Sequence, residues 1–349
     1  MSLFTKTLGL SAPILQSPMA GSQDHRLAAA VSNAGGLGAL PAATLTSQQL
    51  ENELKALQAA TSNPFNVNFF CHPTPVENPH RLKRWHEALA DYYLEMGLDP
   101  AHIPSGVGRT PFSPESADVL EAFRPAVVSF HFGLPSDSLV QRIQSWGSII
   151  WSSATTVAEA QWLEARGVDA IIAQGLEAGG HRGMFLTEDV NTQTGTFALL
   201  PQIAHAVRVP VIAAGGIANA TGVIAAKVLG ASAVQVGTAY LCSNEATTSP
   251  LHRAALQSPA VQHTALTNLF SGRPARGIMN RLMQELGPLS AQAPAFPLAT
   301  AGIAPLRAAA EALGRTDFTP LWSGQNARDI RTGPASDITR DLIQGWLTA

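Results

Sequence analysis

The chain has 349 residues, of which 46% are hydrophobic and only 13% are charged. Disordered chains are poor in apolar residues and rich in charge, so this composition excludes a disordered protein. Because 22 basic residues stand against 25 acidic residues, no excess of positive charge is present to attract nucleic acid. The two cysteines, Cys71 and Cys242, are too few for a disulfide framework or a zinc site with four thiolates.

The amino-terminal segment predicts a cytoplasmic protein that has no membrane partner. The segment MSLFTKTLGLSAPILQSPM contains an early proline and no apolar run of signal-peptide length. Nowhere does the chain contain the roughly 18 uninterrupted apolar residues that a membrane-spanning helix needs. We therefore expect both thiols to be free in a reducing compartment.

Eight short apolar runs in the first 240 residues have the composition of β-strands. They alternate little between apolar and polar residues, which is typical of parallel strands that are covered on both faces. In chain order the predicted strands are 13–16, 38–41, 66–70, 126–130, 148–152, 170–173, 210–214 and 233–236.

Helical patterns lie between most of these strands. The clearest are 25–33, 47–59, 156–166 and 220–229, and Thr155 is a candidate N-cap for the third of them. Strands that alternate with helices predict an α/β fold, and a count of eight favours a (β/α)8 TIM barrel. The competing doubly wound sheet collects its ligand contacts at one switch point, whereas glycine-rich or polar residues follow most strands here.

Two regions interrupt the βα rhythm. Residues 73–125 are far longer than a usual βα connection and contain a predicted helix at 79–96, which indicates an inserted lid segment. Residues 246–349 are helical and rich in proline. We therefore predict a barrel over 1–245 that carries this insertion, and a C-terminal helical extension over 246–349 that packs over the barrel mouth.

The segment AQGLEAGGHRG directly follows the sixth predicted strand. Its glycines allow the backbone to approach a flat ligand, Gln174 places an amide at the strand end, and His181 can exchange a proton near neutral pH. The alternative is a glycine-rich surface turn with a solvated histidine. Because catalytic residues of TIM barrels lie at the carboxyl ends of the strands, we favour a functional site here.

Two glycine loops follow the seventh and eighth predicted strands. The first, AAGGI, contains Gly215 and Gly216, and the second, QVGT, runs from Gln235 to Thr238. Loops at these places in TIM barrels often bind phosphate through backbone N–H groups. We therefore predict a phosphate site, with ordinary tight turns as the alternative.

Three further segments supply candidates at strand ends. QSPMAG, after the first strand, can present the backbone of Met19 and Ala20 to a planar ring, although a structural turn is the simpler interpretation. SFHFG places His131 between two phenylalanines, where it is either a site residue or a hydrogen-bonded core residue. Asn68, in the third strand, has the same two interpretations.

The histidines near Cys71 do not form a recognisable metal site. The spacing of His72, His80 and His86 matches no standard zinc pattern, and no acidic pair completes a ligand set. The chain also contains no G-x-S-x-G nucleophile motif and no Walker A lysine. We therefore predict that no metal is bound.

The segments QSPMAG, NVNFF, SFHFG, QGLEAGGHRG, AAGGI and QVGTAYL together resemble the nitronate monooxygenase family, formerly called 2-nitropropane dioxygenases. They follow the family's order over residues 10–285, and QGLEAGGHRG with SFHFG is similar to the bacterial class I members. The resemblance implies a (β/α)8 barrel that binds FMN without covalent attachment, as a monomer or homodimer. It also implies oxidation of alkyl nitronates with O2 to a carbonyl compound and nitrite.

The resemblance implies roles for individual residues. The backbone of Met19, Ala20 and Gly21 would line the isoalloxazine ring, and Asn68 and Gln174 would hydrogen-bond the ring or the ribityl chain. The residues expected around the ribityl phosphate are Gly179, Gly180, Gly215, Gly216, Gln235, Val236, Gly237 and Thr238.

His181 would be the catalytic histidine, with His131 as a second histidine on the same face. His181 would act as a base on a neutral nitroalkane, whereas an ionised nitronate would only have to be bound or oriented. The chain departs from class I in having only three tyrosines, and Phe296 is a candidate for the position of a pocket tyrosine. The alternative function is an FMN-dependent NADH:quinone or enoyl-thioester reductase on the same barrel.

Overall fold

Parallel strands and helices alternate along the first two thirds of the computed structural model, which describes residues 3–76, 78–106, 108–328 and 330–348. The strands are β1 (Ile14–Gln16), β2 (Gly38–Pro41), β3 (Phe65–Phe70), β4 (Val127–His131), β5 (Ile149–Ala154), β6 (Ala170–Gln174), β7 (Gly180–His181), β8 (Val211–Ala214), β9 (Ala233–Val236), β10 (Thr264–Thr267) and β11 (Ala275–Ile278).

Eight of these strands close into a parallel barrel. Their order is β1-β9-β8-β6-β5-β4-β3-β2, and a parallel bridge between Leu15 and Leu37 joins the two ends of the sheet. Each predicted strand is present within two residues of its expected limits. The predicted TIM barrel is therefore confirmed.

The helices are α1 (Leu3–Thr7), α2 (His25–Asn33), α3 (Ser47–Ala60), α4 (Pro79–Glu95), α5 (Pro114–Phe123), α6 (Asp137–Ser145), α7 (Val157–Glu164), α8 (Thr196–Ala206), α9 (Ala220–Val228), α10 (Pro250–Leu256), α11 (Arg281–Leu286), α12 (Ala299–Ala312) and α13 (Ala335–Thr348). Within the described residues, none is long and apolar enough to cross a membrane.

The N-cap predicted for α7 is wrong by one residue. Thr156 caps the helix, since its hydroxyl accepts a hydrogen bond from the backbone N–H of Glu159. Thr155 instead donates its backbone N–H and its hydroxyl to the Glu159 carboxylate, at 2.7 Å each. That carboxylate is completely buried, so it requires these donors.

The barrel is closed at the amino-terminal ends of its strands. Phe4 and Leu8, in and just after α1, pack against apolar side chains inside the barrel, and the ring centres of Phe4 and Trp151 are 5.8 Å apart. Val127 and Ala233, at the first positions of β4 and β9, belong to the same cluster. The carboxyl ends are left as the open end, which is where TIM barrels bind their substrates.

The last helix, α13, completes the outer ring of the barrel. Its fully buried Leu342 belongs to the core shared by the barrel and its helices. The helix packs so closely on α9 that a Cβ at Gly345 would lie 2.6 Å from Ala220 Cα. The helix itself thus lies in the outer ring, while the predicted packing of residues 246–349 over the barrel mouth stays a prediction.

The insertion and the remaining C-terminal segments share a second core. Trp85 and Leu89 of α4 are completely buried against Leu282 of α11 and Leu306 of α12. Each segment buries large apolar side chains against the other, and these side chains would be exposed to water if either segment stood alone. Residues distant in the sequence thus form one helical layer beside the barrel.

Candidate active site

A cavity of about 1310 Å³, open to solvent, lies at the carboxyl ends of the barrel strands. Most of the predicted site residues line it: Met19, Ala20, Asn68, His131, Gln174, Gly179, Gly180, His181, Gly215, Gly216, Gln235, Gly237 and Thr238. They come from the carboxyl ends of at least five different strands and from the loops that follow, as expected for a barrel and not for a doubly wound sheet.

Two predicted residues do not line the cavity. Gly21 lies in the exposed turn after β1. Val236 is 1% exposed and belongs to the core between the barrel and its helices. Successive side chains of a strand point to opposite faces, so Gln235 reaches the cavity and its neighbour Val236 cannot.

His181 is held by residues on both sides of its loop. Its backbone belongs to β7, which pairs antiparallel with β11, so that His181 lies opposite Ala275. Its Nε2 is 2.8 Å from the hydroxyl of the buried Ser271, which leaves Nδ1 as the ring nitrogen without a protein partner among the described residues. Burial lowers the pKa of His181 well below 6.5, and the positive charge of Arg109 lowers it further. The imidazole is therefore neutral at physiological pH.

His131 has both ring nitrogens engaged. Nε2 lies 3.1 Å from the carbonyl oxygen of His181 and Nδ1 lies 2.8 Å from the hydroxyl of Ser153. A carbonyl can only accept, so the proton is on Nε2 and Nδ1 accepts from Ser153. Burial, with the charges of Arg273 and Arg182, lowers the pKa of His131 to about 3. These bonds favour a role in positioning the backbone of His181.

Gln174 also supports the His181 loop. Its Nε2 donates to the carbonyl of His181 at 2.9 Å, and its Oε1 accepts from the N–H of Gly183 at 2.7 Å. One amide hydrogen remains for a ligand in the cavity. Asn68 also lines the cavity, and its side-chain amide donates to the hydroxyl of Ser129 at 2.9 Å.

The two late loops leave backbone donors unpaired. Gly215 and Gly216 have φ angles of +114° and +73°, which L side chains rarely adopt, so glycine is required there. Within the described part of the chain, no hydrogen bond engages the backbone N–H groups of Gly216, Gly237 or Thr238. Such convergent N–H groups are the usual donor set for a phosphate. The donor chemistry therefore fits the phosphate of a mononucleotide.

A segment that the βα pattern did not reveal covers these loops. Gly324 donates its N–H to the hydroxyl of Thr238 at 2.9 Å, and Asn326 donates to the carbonyl of Gly216 at 2.7 Å. Gly179 lies against the same segment, and a Cβ there would lie 2.5 Å from the nitrogen of Gly324. Residues 321–325 of this segment have the sequence LWSGQ.

Three aromatic side chains surround the His181 ring, and of these only Phe296 was a candidate from the sequence, whereas Phe70 and Trp322, which line the cavity, were not. The Phe70 and Phe296 rings contact the His181 ring, with centres 6.0 and 5.5 Å away, and Trp322 lies 5.5 Å away on another side. Arg109, from the insertion, also lines the cavity. No common periodicity marks these residues, because Phe70 ends β3 and the others come from three separate connections.

Comparison with known proteins agrees with this geometry. The family model of nitronate monooxygenase matches residues 1–345 of the chain. The chain belongs to the nitronate monooxygenase family. A nitronate monooxygenase of Pseudomonas aeruginosa is 40% identical over 343 residues, which cover 98% of each chain.

Solved structures extend the comparison to the fold. A nitroalkane oxidase from Streptomyces ansochromogenes has a TM-score of 0.87 at 36% identity, and the match covers 99% of this chain and 98% of that one. The enoyl reductase domain of MlnA from Bacillus amyloliquefaciens has a TM-score of 0.63 at 13% identity, covering 99% and 96%. At that identity the second likeness concerns the fold alone.

Acid should destabilise the protein partly through His131. Its pKa is about 3 in the folded state against an ordinary value of 6.5, so between these values the unfolded state binds a proton that the folded state does not. The contribution of His131 to the free energy of unfolding is therefore fully present above pH 6.5. It is lost as the pH drops toward 3, by up to about 1.4 kcal/mol per pH unit. We expect the free energy of unfolding, measured with denaturant, to decrease less from pH 7 to pH 5 in His131→Gln than in the wild type. Near pH 8 the free energy of unfolding should change with pH equally in the two proteins. An equal decrease in both proteins between pH 7 and pH 5 would contradict this assignment.

Proposed function

We propose that this protein is an FMN-dependent nitronate monooxygenase that converts an alkyl nitronate and O2 to a carbonyl compound and nitrite. The observation that carries the proposal is that His181 and the unpaired donors of the late glycine loops share one cavity in a chain of this family. A nucleotide-sized ligand and a small substrate thus have adjacent places. The same proposal assigns the enzyme to the cytoplasm, as a monomer or homodimer.

The residues for FMN follow from the donor set. The N–H groups of Gly216, Gly237 and Thr238 would hold the phosphate, and the backbone of Met19 and Ala20 would border the ring. FMN is favoured over FAD because the chain has no dinucleotide fingerprint for an adenosine diphosphate tail. When bound, the flavin supplies the electron-accepting centre and the reaction with O2.

His181 would act on the substrate through Nδ1. A neutral imidazole can accept a proton from the α-carbon of a nitroalkane, and Ser271 holds the ring so that Nδ1 is the nitrogen left free. An ionised nitronate needs no base, and His181 would then orient it by hydrogen bonding. Phe70 and Phe296 would exclude water around the reacting carbon.

The reductase alternative is not favoured. The match to the nitronate monooxygenase family spans residues 1–345, whereas the likeness to an enoyl reductase domain is limited to the fold. Anaerobic mixing with NADH distinguishes the two functions. A reductase would bleach the flavin absorbance rapidly, and a nitronate monooxygenase would not require NADH.

The proposed function is tested with the purified protein. We expect a flavin spectrum, release of FMN on heating as identified by chromatography, and O2 uptake with formation of nitrite from ethylnitronate. Recovery of FAD would contradict the assigned phosphate site. Absence of O2 uptake and nitrite from a flavin-loaded preparation would overturn the function itself.

The variant Gly216→Asp tests the phosphate site. A carboxylate there would repel a phosphate, and unit charges near a protein surface repel by about 4 kcal/mol at 4 Å. We expect the Kd for FMN to rise by about 100-fold or more, measured by fluorescence titration of the apoprotein. Gly167→Asp is the matched control, because Gly167 has a φ of +76° in an exposed turn. Stoichiometric FMN in Gly216→Asp would show that the phosphate lies elsewhere.

The variant His181→Asn distinguishes a role of His181 as a general base from a role in binding the substrate. Loss of a positioned base usually costs about 100- to 10,000-fold, so we expect kcat on neutral nitroethane to fall by that amount. With pre-ionised ethylnitronate we expect a much smaller loss, mainly in KM. FMN content is measured in each preparation, and His80→Asn, an exposed histidine of α4, serves as the control. Equal kcat losses on both substrates would contradict the base role.

A further inference from the structure

Arg109 is a cation in the cavity wall for which the described residues provide no anionic partner. Among the described residues that line the cavity, it is the only Lys or Arg, and the only Asp or Glu is Glu177. The Glu177 carboxylate is already engaged, since it accepts from the N–H and the hydroxyl of Thr196 at 2.7 and 2.8 Å. Within the described part of the chain, no carboxylate pairs with Arg109.

The other arginines around the site are satisfied by the protein. Arg182 donates to the carbonyls of Gln174 and Gly175 at 2.6 Å each. Arg273 donates to the carbonyl of Met184, and its guanidinium lies 4.1 Å from the centre of the Phe132 ring. Among the described residues, no polar contact to the guanidinium of Arg109 is present, and its contacts are the rings of Phe70 and Phe296.

An unpaired buried charge is unfavourable unless a ligand compensates it. Arg109 is half-buried in the cavity wall, and this partial desolvation lowers the pKa of its guanidinium from the ordinary value. An anion in the cavity would remove this penalty. The half-buried guanidinium therefore offers a favourable place for a negatively charged occupant of the cavity.

Arg109 and His181 face a common space. The guanidinium carbon of Arg109 lies 5.6 Å from the centre of the Phe296 ring and 6.0 Å from that of the Phe70 ring. The same two rings contact the imidazole of His181. Of the charged groups nearby, Arg109 has the largest effect on the pKa of His181. A small anion against these rings would thus be near both side chains.

We propose that Arg109 binds the negatively charged group of the substrate and thereby selects an ionised nitronate over the neutral nitroalkane. The planar guanidinium presents parallel N–H donors, which match the two oxygens of a nitronate as they match those of a carboxylate. This inference rests on the proposed function for the identity of the substrate. The anion site itself is independent of turnover.

The anion site is tested by calorimetric titration of the purified holoenzyme with sodium nitrate, a planar anion that cannot react. Loss of a hydrogen bond to a charged group weakens binding by about 10- to 100-fold. We therefore expect the Kd for nitrate to rise by this factor in Arg109→Gln. Arg109→Lys keeps the charge but not the parallel donors, so we expect an intermediate Kd. Arg84→Gln, an exposed arginine of α4, removes the same charge outside the cavity and should bind like the wild type.

Turnover supplies the second measurement. For Arg109→Gln we expect KM for ethylnitronate to rise by about 10- to 100-fold with a much smaller change in kcat, and KM for nitroethane to stay within about threefold. Wild-type protein that does not bind nitrate, or equal weakening in Arg84→Gln, would overturn the inference. So would unchanged nitrate binding in Arg109→Gln. If the wild type binds nitrate but consumes no O2 with nitronate, the proposed function fails and the anion site stands.

Discussion

The buried guanidinium of Arg182 is the constraint on which the candidate site depends. Arg182 is completely buried, and it bonds the carbonyls of Gln174 and Gly175 and, at 2.9 Å, the side-chain oxygen of Gln193. Burial lowers its pKa to about 9, so it stays charged at neutral pH. A buried cation is costly unless such bonds satisfy it, and these bonds fold the loop after β6 back over the strand end. His181, the neighbouring residue, is brought to the cavity by this fold.

The C-terminal third of the chain completes the same loop. β11 pairs with β7, Ser271 contacts the His181 ring, and Trp322 contacts it from another side. These segments are in turn anchored through the core that α11 and α12 share with α4. The barrel holds the backbone of His181 through Gln174 and His131, whereas the C-terminal segments hold its ring. The helical layer thus contributes to the position of the histidine as well as to the cavity wall.

The cavity has two chemically different parts. One is polar and built from backbone groups, where the late glycine loops leave N–H donors unpaired beneath the segment that contains Gly324. The other is aromatic, with the rings of Phe70 and Phe296 between the charge of Arg109 and the imidazole of His181. A phosphate suits the first part and a small organic anion suits the second. This division explains how one cavity could hold a nucleotide cofactor beside a substrate.

The sequence by itself determined the barrel and the residues at its strand ends. Apolar runs and glycines act through local backbone preferences and through burial on both faces, so their spacing along the chain predicts the eight barrel strands β1 to β6, β8 and β9. It also places Gln174, His181 and Gly216 at one end of the barrel. It could not show which ring nitrogen of His181 is free, because Ser271 is 90 residues away. The sheet of β7, β10 and β11, the place of α13 in the outer ring and the unpaired charge of Arg109 also depend on contacts between distant segments. Only the tertiary structure decides these features, since hydrogen bonding and charge compensation depend on distance in space and have no period in the sequence.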